Sequence, residues 1–102
     1  MTHTDTNPTV VVDRELPAVV ESVPFARDLA AGAVPGAVRN DVGRVVAGLV
    51  DEFVRKGCGP IELMVTADAA HVRVEVSRMA CSSDPENDRD RAIAEIPIPA
   101  AT

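Results

Sequence analysis

The chain has 102 residues, with 16 Asp and Glu against 10 Lys and Arg, giving a formal net charge of −6. That length supports one domain with a core of little surplus. The acidic balance excludes a nucleic-acid binder, which needs a concentrated cationic face, and no run approaches the ~20 apolar residues of a membrane span.

Residues 1–8 (MTHTDTNP) are polar and are expected to be a flexible N-terminus. They lack a basic region followed by a hydrophobic run, so no export signal and a cytoplasmic location are expected. Residues 9–16 (TVVVDREL) are rich in β-formers and predict a first strand, ended by Pro17, which cannot donate to a ladder. Ser22 is expected to cap a first helix running through about Ala33, with Pro24 in its tolerated first turn. Phe25, Leu29 and Ala33 are expected on its inner face, with Ala26 and Ala30 allowing close approach. The VPG step at 34–36 breaks the pattern.

A second helix is predicted from near Ala37 to Lys56. Val42, Val45, Val46, Leu49, Val50, Phe53 and Val54 fall in the rhythm of one buried helical face. Arg55 and Lys56 suit the negative end of the helix dipole, and Gly57 suits the C′ stop. Gly43 and Gly48 lie inside the helix, each costing roughly 1 kcal/mol against alanine. Next, Ile61, Leu63 and Val65 alternate with polar residues, as do Val72, Val74 and Val76. A hairpin with one buried and one wet face is predicted, turning at 67–70 (ADAA), with His71 on the wet face. Residues 82–102 are expected to be a charged loop and short tail, with a short helix over 90–96 before Pro97 and Pro99.

The only thiols, Cys58 and Cys81, make no disulfide framework, and with His3 and His71 they make no zinc spacing. The 46% apolar content is mostly Val and Ala, with two Phe and neither Trp nor Tyr. A core so poor in aromatics buries modest area per residue, so association with a partner would add stability.

Residues 42–57 (VGRVVAGLVDEFVRKG), 15–27 (ELPAVVESVPFAR) and 59–78 (GPIELMVTADAAHVRVEVSR) together resemble the ATP-binding domain of actinobacterial anti-sigma-factor serine kinases. These belong to the histidine-kinase-like (GHKL) ATPase superfamily. The resemblance implies an α+β, two-layer sandwich: a truncated GHKL (Bergerat-like) fold with two helices on a small, mostly antiparallel sheet, its domain spanning 9–81. It is good in the scaffold and poor in every functional box. Gly48 stands where the family carries its activating Glu, and Glu52 where it carries the magnesium-holding Asn. Arg78 replaces the Asp that reads adenine. Asp88 and Asp90 stand at two glycines of the phosphate box, where their side chains would block and repel a triphosphate.

Three readings follow. The resemblance implies a non-catalytic regulator that acts by protein binding, an anti-sigma-like pseudokinase without nucleotide, metal or other cofactor. Its partner would be a sigma factor, an anti-anti-sigma protein or a homologous ATPase-like subunit. A sheet shorter than the family's implies an exposed edge or apolar face, and so a homo- or hetero-dimer. The first alternative is a serine kinase in which Glu52 takes over magnesium binding. The second is a small enzyme or ligand carrier reusing a cleft lined by Asp51, Glu52, Arg78, Asp88 and Asp90.

Overall fold

The computed structural model of the chain describes residues 8–57, 59–79 and 89–99. Their element order is β1 (Thr9–Leu16), α1 (Ser22–Gly32), a 3-10 turn (Gly36–Val38), α2 (Arg39–Lys56), β2 (Ile61–Ala67), β3 (His71–Met79) and β4 (Arg89–Pro97). Cys58, Cys81, Asp88, His3 and the charged stretch 82–88 lie outside the described residues.

Alternation builds the sheet. Val12 and Leu16 of β1, Ile61, Leu63 and Val65 of β2, and Val72, Val74 and Val76 of β3 are all buried, while the alternate residues face outward; Arg14, on the inner side of β1, is exposed beside Phe25 of α1. The four strands form one antiparallel sheet in the order β1-β2-β3-β4. Val65 pairs with Val12 on one side and Val74 on the other, and Val74 in turn faces Ala94. One inward row therefore runs across the whole sheet, buried at Val12, Val65 and Val74 and half-buried at Ala94. An irregularity between Val10 and Val12 lets Val10 lie opposite Thr66 on the outer face.

Two helices cover the inner face, entering between β1 and β2. α2 presents Val42, Val46, Val50 and Phe53, all at most 2% exposed. It ends as expected: Gly57 adopts the left-handed conformation at φ 67°, and its N–H donates to the Phe53 carbonyl. The 3-10 turn takes the residues expected to open this helix, so α2 begins at Arg39.

α1 differs from expectation in two ways. Ser22 is its first residue rather than its cap, and its hydroxyl donates back to the Pro17 carbonyl at 2.7 Å, locking the β1–α1 corner. The buried stripe is Ser22, Ala26 and Ala30, whereas Phe25 is 46% exposed and Leu29 and Ala33 are half-buried. The reason is close approach between helices. Gly43 of α2 is buried against α1, and a Cβ there would meet Arg27 Cγ at 3.3 Å and Ala31 Cβ at 3.6 Å. Phe25 lies instead at the β1–α1 corner, where Arg14 Cζ stands 5.5 Å from its ring centre.

The largest difference is at the end of the chain. Residues expected as a short helix over 90–96 form β4, in register with β3 from Met79↔Arg89 to His71↔Pro97. Ala92, Ala94 and Ile96 point inward with period two, and Arg91, Ile93 and Glu95 point outward. Ladder hydrogen bonds and the covered inner face override the modest β-propensity of this charged, alanine-rich stretch. The result is a compact α+β domain: two helices packed on a four-stranded antiparallel sheet.

Candidate functional site

The hairpin turn is a self-contained polar device. Asp68 Oδ1 accepts the backbone N–H groups of Ala70 and His71, both at 2.7 Å. These two bonds, first Ala70 and then His71, hold the Asp68 carboxyl below its usual range, and the nearby His71 side chain adds to the effect. His71 is exposed, as expected for the wet face.

Of the five positions implied by the nucleotide-site resemblance, two meet. Arg78 continues the inward row of β3 after Val72, Val74 and Val76, so the pleat directs a guanidinium into the layer between sheet and α2. It is 4% exposed, and its Nη2 donates to Asp90 Oδ2 at 3.2 Å, directly opposite in the β3–β4 register. Its Cζ stands 5.6 Å from the centre of the Phe53 ring, and Lys56 Nζ lies 5.3 Å from the same ring. A buried cation is tolerable because a carboxylate and an aromatic face replace water around it. Chemically this is a charge-compensated lock between α2, β3 and β4.

Gly48 and Glu52 do not join it. Each is two residues from a buried position of α2, a rotation of roughly 200° about the helix axis, which carries both to the exposed face. A Cβ at Gly48 would meet nothing within 4 Å, so no packing demands glycine there. Asp51 makes an exposed i, i+4 pair with Arg55 at 3.0 Å. Asp88 lies outside the described residues. The acidic cavity of the second alternative is therefore not assembled by the described members of that set.

Two surface features escaped the sequence reasoning. A groove of about 480 Å³ runs between α1 and α2, lined by Arg27, Asp28, Ala31, Arg39, Asn40, Gly43, Arg44 and Ala47. Its sequence signal is small residues four apart beside arginines: Ala31 follows Arg27, and Gly43 and Ala47 follow Arg39. A second hollow of about 350 Å³ adjoins Phe25 at the β1–α1 corner, where Arg14 Cζ stands 5.5 Å from the ring centre. Among the described residues no three of His, Cys, Asp or Glu are grouped to hold a metal ion, and no helix is long and apolar enough to cross a membrane.

Comparison with models of protein families, with curated proteins and with solved structures finds no match to this chain. The class defined by the geometry is the α+β domain itself, two helices over an antiparallel sheet with a buried Arg–Asp lock.

Proposed function

We propose that this chain is a non-catalytic regulatory protein that acts by binding another protein, on an anti-sigma-like scaffold of the GHKL type that has given up nucleotide. The observation that carries the reading is the Arg78 lock. At the position where the resemblance calls for an adenine-reading Asp, the chain puts a cation against Asp90 and the Phe53 ring. The groups that replace the activating Glu and the magnesium-holding Asn, Gly48 and Glu52, look outward from α2. A purine seated at this end of the sandwich would have to displace a buried, charge-paired side chain, and neither position on α2 would meet it. The partner proposed is a sigma factor, an anti-anti-sigma protein or a homologous subunit, engaged as a hetero- or homo-dimer.

Isothermal titration of the purified chain with Mg-ATP tests the loss of nucleotide. No saturable heat at micromolar protein is expected, and none is expected after Arg78→Asp, because the outward-facing Gly48 and Glu52 remain. Saturable binding by the unmodified chain would overturn the reading and revive the serine-kinase alternative.

A further inference from the structure

We propose that the groove between α1 and α2 is a docking site for an acidic segment of a protein partner, held by Arg27, Arg39 and Arg44. The proposal deepens the protein-binding reading and rests on it for the existence of a partner.

The groove collects three of the chain's ten cationic side chains against one lining carboxylate, Asp28. Of the other described cations, Arg55 pairs with Asp51, Arg73 and Arg91 with Glu75, and Arg78 with Asp90, while Arg14 and Lys56 lie over the Phe25 and Phe53 rings. The groove arginines are held loosely. Arg27 pairs with Asp28 at 3.0 Å and Arg44 with Asp41 at 3.8 Å, all four side chains at least half exposed. Exposed pairs of this kind are worth ~0–1 kcal/mol and exchange readily for a partner's carboxylate. Arg39 donates through Nε to the Ala31 carbonyl at 2.9 Å, which steadies the side chain while leaving its terminal nitrogens to a ligand. The positive end of the α2 dipole at the groove is offset by the negative end of α1, whose last turn holds Ala31, and by Asp41, so the arginine side chains carry the charge.

Shape and spacing favour a peptide over a free anion. Ala31, Gly43 and Ala47 give the groove a floor without bulk, and its volume of about 480 Å³ takes several side chains. Arg39 and Arg44 are five residues apart on α2, about 7.5 Å of rise, a spacing suited to carboxylates on successive turns of a segment rather than to one phosphate. The overall charge of −6 does not forbid this. Fields are screened over about 8 Å at physiological salt, so the arginines in contact decide and remote carboxylates do not.

The test is fluorescence anisotropy with a labelled peptide of alternating Glu and Ala, its Gln-and-Ala counterpart serving as control. The acidic peptide is expected to bind, to weaken as salt rises, and to lose about tenfold in affinity for the double variant Arg27→Gln/Arg44→Gln, whose exposed sites leave the fold intact. Ala47→Leu, which fills the floor and leaves every charge in place, is expected to weaken it similarly. Equal binding of both peptides, unchanged binding by the variants, or displacement by inorganic phosphate at equal concentration would each sink the proposal. Mg-ATP titration is a separate readout. Nucleotide binding would remove the regulatory reading without touching the peptide result, and a failed peptide with no nucleotide binding would remove the groove alone.

Discussion

Three glycines show how the same residue type carries different meanings. Gly57 sits at φ 67°, where a Cβ is strained, so Gly57→Ala is expected to cost about 1 kcal/mol in urea unfolding. Gly48 lies in an open stretch of helix with nothing within 4 Å of a Cβ, so Gly48→Ala should stabilise by up to ~1 kcal/mol. Gly43 is packed against α1, and a methyl there would press on Arg27, which offsets the same propensity gain. Asp68 adds a pH-dependent contribution. Its folded-state pKa is depressed by the Ala70 and His71 N–H bonds, so the stability it supplies is present above its unfolded pKa and fades as pH falls through the folded value. Thermal melts of Asp68→Ala and the unmodified chain should therefore differ at neutral pH and converge in acid.

At the scale of elements, the question is what holds α2 to the far end of the sheet. The Arg78 guanidinium bridges Asp90 of β4 and the Phe53 ring of α2, so it ties the C-terminal strand to the second helix. Asp90 keeps 38% side-chain exposure and regains water if its partner is lost. Much of what Arg78 contributes is then packing of its stem and plane. Arg78→Ala is expected to lower stability by roughly 2 kcal/mol, and Arg78→Met to recover much of that loss. Chemical denaturation of both variants measures it, and equal losses would show that charge, not packing, dominates. β4 makes its own prediction. As an edge strand paired along β3, only those of its amides between Arg89 and Ile96 that point at β3 should be protected in hydrogen exchange, every second one, whereas a helix over 90–96 would protect a consecutive run at its C-terminal end.

Over the whole molecule, a core built from valine and alanine has few large contributors. Ile61 and Leu63 head the fully buried side chains, and Phe53 is the one buried aromatic among the described residues. Leu63→Ala should cost about 2–5 kcal/mol, a large share of the roughly 5–15 kcal/mol that holds a domain of this size together. Its urea midpoint should fall accordingly. The sheet leaves one face open. Met64 and Ile93 are 37% and 42% exposed there, among Asp13, Glu62, Arg73, Glu75 and Arg91. Among the described residues, β1 and β4 each pair on one side only. These are the places where the expected dimer would form, and sedimentation across micromolar concentrations measures whether it does.

What the chain declares locally is what its periodicity imposes. α2 with its glycine stop, β1, and the β2–β3 hairpin with its Asp68 turn were legible because burial of one face repeats every 3.6 or two residues. Arg78 and Asp90 were singled out as residues, and the hairpin's polar face was legible except at Ser77, expected to be wet and in fact buried at 4% exposure. Four things needed the tertiary structure. The inner stripe of α1 is alanine rather than phenylalanine because only helix-to-helix distance determines which side chains fit. β4 exists because β3 offers it a ladder, and that ladder outweighs the local preference of a charged stretch. The separation of Arg78 and Asp90 from Gly48 and Glu52 follows from which face of α2 meets the sheet, and the arginine groove exists only because two helices with small residues lie close together.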